Sequence, residues 1–179
     1  MTQAERRLFL IQALKDEQAE YRDLRVPRDA MGQRKLLRSL LNVRAPGAIG
    51  DDFLAVQDDY LQQALAEDGV TRAEDLSPVS GDLCLWQGDI TRLQCGAIVN
   101  AANSGLTGCY LPCHACIDNC IHTYAGIQLR QDCAALMAAQ GHPEPAGQAK
   151  ITRAYNLPCD YVLHTVGPIV EGPLTAEHE

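Results

Sequence analysis

Residues 97–106 read AIVNAANSGL. Ala97–Ala102 form a short apolar run between Gly96 and Asn103, the pattern of a buried β-strand. The strand runs into a loop of small residues that would let a ligand approach the backbone. Asn100 and Asn103 supply side-chain donors and acceptors there. Three runs of the same kind, DLCLW (82–86), KITRAYN (150–156) and YVLHTVG (161–167), predict further strands. An alanine-rich segment, IHTYAGIQLRQDCAALMAAQG (121–141), predicts a helix stopped at Gly141. Strand, loop, helix, strand, strand is an α/β order.

Upstream the periodicity changes to helical. Thr2 to Glu5 has the capping-box pattern, and Leu8, Ile11 and Leu14 follow at helical spacing. Asp29 is positioned to cap a second helix carrying Leu36, Leu37, Leu40 and Leu41. After the turn APGAIGDD (45–52), Asp51 or Asp52 opens a third helix through Leu54, Tyr60, Leu61 and Leu65, ending at Gly69. Residues 1–78 therefore read as a helical extension with a packing and shielding role, and residues 79–179 as the α/β domain.

Composition narrows the function. The net charge of −8 argues against a general nucleic-acid or membrane surface. Lys and Arg are concentrated before residue 80, so a phosphate bound downstream would be held mainly by backbone N–H groups and helix ends. The sequence has no apolar run long enough to span a bilayer and no secretory leader pattern at its N-terminus. The expected setting is the cytoplasm, where thiols stay reduced and a Cys/His cluster more often binds metal or catalyses than forms disulfides.

Such a cluster occupies residues 108–122, GCYLPCHACIDNCIH. Cys109, His114 and Cys116 make a C-x4-H-x-C spacing that one loop can wrap around a single ion. Cys113 and Cys116 also make C-x-x-C, so spacing leaves three readings open: a metal site, a redox dithiol, or small buried side chains. Asp118 lies where a helix should begin, and a carboxylate there is favoured as the anion or serves as a plain cap. Asp89, in QGDIT (87–91), can accept from an exocyclic amine such as that of adenine, or act as a turn residue. Cys84, Cys95, Cys133 and Cys159 read as small buried hydrophobes, and His164 as a satisfied core histidine.

Taken in order, LWQGDIT, AIVNAANSGL, CIDNCIHTYAG, GQAKITRAYNLP and YVLHTVGP resemble the motifs of macrodomains, an ADP-ribose-binding fold. The resemblance covers roughly residues 80–170. TGCYLPCHACIDNC replaces the usual glycine-rich stretch, and with the helical extension this looks like the zinc-dependent macrodomains of bacteria and fungi that accompany class M sirtuins. It implies a three-layer α/β/α sandwich and removal of mono-ADP-ribose from protein side chains. Asp89 would hold the adenine amine, with the backbone of Ile90 and Ala102 beside the ligand. Asn103 would contact the distal ribose, and Asp118 would be the catalytic carboxylate. Cys109, His114 and Cys116 would ligate Zn2+, leaving Cys113 and Cys120 as extras. The implied partner is an ADP-ribosylated protein, in bacteria a lipoyl carrier resembling the glycine-cleavage H protein, with no nucleic acid and no membrane. The alternative is an ADP-ribose-binding module with structural zinc. The family continues past YVLHTVGP with a helix, a strand and a second phosphate-binding loop. The chain ends at Glu179 without them, so an incomplete sheet and a C-terminally truncated copy are expected.

Overall fold

The computed structural model describes residues 1–170, 172, 173, 175 and 176. The extension is three helices. α1 (Gln3–Glu17) begins at Thr2, whose hydroxyl accepts the Glu5 N–H while the Glu5 carboxylate accepts the Thr2 N–H. α2 (Ala30–Val43) is capped by Asp29, which accepts the Gly32 N–H at 2.8 Å. α3 (Asp51–Asp68) is capped by Gly50. Asp51 and Asp52, expected to cap it, lie in its first turn, where the helix dipole favours their charge. Leu10, Ile11 and Leu14 of α1 pack with Leu37, Leu40 and Leu41 of α2 and with Phe53, Tyr60 and Leu61 of α3. Each such burial contributes about 1.5–3 kcal/mol relative to exposure. Ile127 joins this core from the second half of the chain.

From Thr71 onward the described residues hold seven short strands and two α-helices. β1 (Thr71–Arg72) pairs in parallel with β4 (Leu93–Gln94), and β2 (Pro78–Ser80) pairs antiparallel with β3 (Leu83–Cys84). The main sheet has the order β5 (Ala97–Ala102), β7 (Tyr161–Val166), β6 (Ala149–Arg153). β5 and β7 run parallel from Ala97↔Tyr161 to Ala102↔Val166, and β6 lies antiparallel on the far side of β7. α4 (Ile117–Ala125) and α5 (Ile127–Gln140) cover one face, burying Ile98 and Val162 with Ile121, Ala125, Leu129 and Cys133. Among the described residues, Val99, Ile151 and Tyr161 on the opposite face remain open to solvent. No described helix is long and apolar enough to cross a membrane.

Two expectations change. DLCLW is not a core strand: only Leu83 and Cys84 pair, in a hairpin, and Leu83, Cys84 and Leu85 are exposed. An apolar run signals burial only if another element covers it, and none does here among the described residues. The alanine-rich helix is broken at Gly126, whose φ is 97°. A Cβ at Gly126 would lie 2.6 Å from Gln57 Nε2, and Gln57 Oε1 accepts the Ile127 N–H at 3.0 Å, so α3 reaches over to start α5.

Candidate functional site

The site forms where β5, the loop after it and the first turn of α4 meet. Cys116, not Asp118, caps α4: its Sγ accepts the Asn119 N–H at 3.4 Å. Asp118 instead turns toward the sheet. Its Oδ1 accepts from Asn100 Nδ2 at 2.8 Å and its Oδ2 from Asn103 Nδ2 at 3.3 Å. Asn103 is itself fixed: its Oδ1 accepts the Gly105 N–H at 2.9 Å and its Nδ2 reaches the Gly108 carbonyl at 3.1 Å. Asp118 is 5% exposed. Burial pushes it above its ordinary value, while the Asn100 bond, the Arg130 charge and the Asn103 bond pull it down. Desolvation thus outweighs the helix-end preference for the anion read from the sequence.

The ligand atoms of Cys109, His114 and Cys116 lie within 4.8 Å of one another. Cys109 Sγ and His114 Nδ1 are 3.6 Å apart. A tetrahedral ion with ordinary zinc bond lengths sets its sulfur–nitrogen pairs at about 3.5 Å and its sulfur pair at about 3.8 Å. The Cys109–His114 separation matches such an ion, and Cys116 lies within 4.8 Å of both. Burial pushes the Cys116 thiol up, the Asn119 amide opposes this, and Cys109 and Asp118 add to it. A cation between the sulfurs would relieve that repulsion.

Cys113 stands apart. Its Sγ faces Ser39 Oγ at 3.2 Å and the Lys35 carbonyl at 3.5 Å, both on α2. Cys120 Sγ receives Arg38 Nη2 at 3.5 Å. All eight cysteines are unbridged. Cys133 and Cys159 are buried as expected, whereas Cys95 is only partly so. Asp89 caps the short 3-10 turn Ile90–Arg92, its Oδ1 accepting from Thr91 N at 2.9 Å and Thr91 Oγ1 at 2.7 Å. The turn reading therefore holds for one oxygen of Asp89, while the residue stays exposed. Ala102 ends β5 half-buried, next to Asn103. A cleft of about 60 Å3 includes Asp89 and Tyr124, and it adjoins one of about 420 Å3 that reaches Cys113. The two share Leu61, Ala64, Asp68 and Tyr124.

The chain is 59% identical over 179 residues to the protein-ADP-ribose hydrolase of Treponema medium, which covers 98% of this chain and 69% of that protein. The chain belongs to the macrodomain family, with the protein-ADP-ribose hydrolases. The Macro domain pattern matches residues 99–179. The protein-ADP-ribose hydrolase of Staphylococcus aureus (strain MRSA252) is 48% identical over 161 residues, 89% of this chain and 60% of that protein. The chain thus spans about two thirds of the length of these relatives. In the crystal structure of a Trypanosoma brucei macrodomain in complex with ADP, the match covers 77% of this chain and 62% of that one, with 29% identity and a TM-score of 0.51.

Behind the macrodomain's Asp118 lies a buried polar row. Asn100 Nδ2 also reaches His164 Nδ1 at 3.1 Å, and His164 Nε2 meets Thr152 Oγ1 at 3.0 Å. Asn100 is the donor, so His164 Nδ1 accepts and its proton sits on Nε2. His164 is thus the satisfied core histidine expected, and burial pushes it down to about 4. His122, one helical turn after Asp118, places Nε2 3.6 Å from Asp118 Oδ1, and neither ring nitrogen is hydrogen-bonded. Burial, Arg130 and His164 push it down to about 3, so it is neutral. The i, i+4 spacing of Asp118 and His122 placed them on one face and was readable in the sequence. Asn119, fully buried, gives Nδ2 to the Cys109 carbonyl at 3.2 Å and the Leu111 carbonyl at 3.0 Å, and no motif announced it.

Proposed function

We propose that this macrodomain removes mono-ADP-ribose from modified protein side chains with Zn2+ held by Cys109, His114 and Cys116. The observation that carries the reading is the convergence of that trio, within 4.8 Å, on the same helix start as the Asn-held Asp118 carboxylate. Two thiolates and an imidazole around zinc supply a Lewis acid with a fourth position for oxygen.

The chain's own groups do the rest. Asp118, oriented by Asn100 and Asn103, sets a carboxylate where ribose cleavage develops positive charge, and can take the proton of the attacking group. Asn103, at the edge of the loop, contacts the distal ribose. Asp89, oriented through its Oδ1 by Thr91, offers the other oxygen to the adenine amine beside the Ile90 and Ala102 backbone. Loop amides hold the diphosphate, in keeping with few nearby cationic side chains. The modified partner in this reading is a lipoyl carrier protein of the glycine-cleavage H type, in the cytoplasm.

The test is ADP-ribose release from a mono-ADP-ribosylated carrier protein. Release should stop with a chelator, return with zinc, and be abolished in Cys109→Ala and His114→Ala. Full release by metal-free protein would refute the metal mechanism. ADP-ribose binding without release, zinc present, would make the chain a binding module.

A further inference from the structure

Side chains of α2 tie the extension to the metal loop and to α4 through a small set of hydrogen bonds. Asn42 is 1% exposed at the end of that helix. Its Oδ1 accepts the Cys113 N–H at 2.8 Å, and its Nδ2 donates to Thr123 Oγ1 at 2.8 Å. Thr123 Oγ1 spends its own proton on the Asn119 carbonyl at 2.7 Å, so the Asn42 amide cannot flip without losing both bonds. One turn earlier, Arg38 Nη2 donates to the His114 carbonyl at 2.8 Å and to Asn119 Oδ1 at 2.9 Å. Asn119 then binds the Cys109 carbonyl and caps onto Cys116 Sγ. Each residue of the trio is thus one or two hydrogen bonds from α2. Cys113, just before His114, has φ 53°, a left-handed conformation that side chains avoid and that needs an outside hold. The hold is the Asn42 side-chain oxygen, Oδ1. The Cys113 thiol meanwhile lies on Ser39 and Lys35, away from the trio.

We propose that α2 is the template of the metal loop: Asn42 and Arg38 are positioning residues that hold the Cys113–His114 turn in its ligating shape before an ion arrives, and so set the affinity of the Cys109–His114–Cys116 site. This rests on the metal reading above and gives the extension a role beyond packing and shielding. A loop ordered in advance spends less of the binding energy on its own ordering. Outer partners of metal ligands typically change affinity 10- to 100-fold, on the order expected here.

The experiment is a zinc competition titration of the full chain against a chromogenic chelator, with melting curves to confirm folding. Asn42→Ala and Arg38→Ala should each weaken zinc binding about 10- to 100-fold. Phe53→Leu, a change in the helical core away from the loop, should lower the melting temperature and leave zinc affinity at the wild-type value. If Asn42→Ala does not fold, Arg38→Ala, at a less buried position, decides alone. Wild-type affinity in the folded α2 variants, or equal weakening in Phe53→Leu, overturns the proposal while the metal reading stands. No zinc binding by the wild-type chain overturns both.

Discussion

Gly108 is the point where backbone and site chemistry compete for the same space. Its φ is 85°, and a Cβ built on it would stand 2.8 Å from both Cγ and Cδ2 of His122. The ring cannot swing away freely, since its side chain is 1% exposed and its Nε2 lies 3.6 Å from Asp118. Gly108→Ala therefore carries two costs. The left-handed backbone costs about 1–2 kcal/mol for an L side chain. Overpacking against the ring adds about 1–3 kcal/mol. Gly141→Ala separates the terms: its φ is 77°, but a Cβ there meets nothing within 4 Å. Urea denaturation followed by circular dichroism should show a loss of about 1–2 kcal/mol for Gly141→Ala and about 2–5 kcal/mol for Gly108→Ala. Equal losses would refute the argument that Gly108 is needed for room above His122.

Other outcomes follow from the same groups. His122 and His164 are buried with values pushed down to about 3 and about 4, so below the unfolded imidazole value the unfolded chain binds protons the native one does not. Stability is then full above pH ~6.5 and falls as pH drops toward ~4, by about 1.4 kcal/mol per unit for each histidine; unchanged urea midpoints between pH 7 and 5 would contradict this. Arg130 binds the carbonyls of Thr107, Leu41, Asn42 and Arg44 and stacks 4.4 Å over Tyr110, so Arg130→Met should cost on the order of 3 kcal/mol by thermal melt, and Arg130→Lys should not restore it. Asp118→Asn should lower ADP-ribose release by about 10²- to 10⁴-fold with calorimetric ADP-ribose affinity near wild type; a matching loss of both would make Asp118 a binding residue only.

The sequence by itself determined the local facts. Thr2 with Glu5, and Asp29, start helices because a side-chain oxygen three residues from an open N–H can close the bond without outside help. The short apolar run Ala97–Ala102, bounded by Gly96 and Asn103, is likewise a local signal and selects β5, and the spacing of Cys109, His114 and Cys116 limits how far apart one loop can carry them. Tertiary structure decided what depends on partners distant in sequence. DLCLW is exposed because nothing described covers it, and α5 begins afresh at Gly126 because Gln57 occupies that space. The cap of α4 passed from Asp118 to Cys116 because Asn100 and Asn103 on the sheet claimed the carboxylate. Asn42 and Arg38 lie more than 70 residues before their targets, and Asn119 has no motif around it. A hydrogen bond between such groups has no periodicity to read, since it exists only once the two segments are packed together.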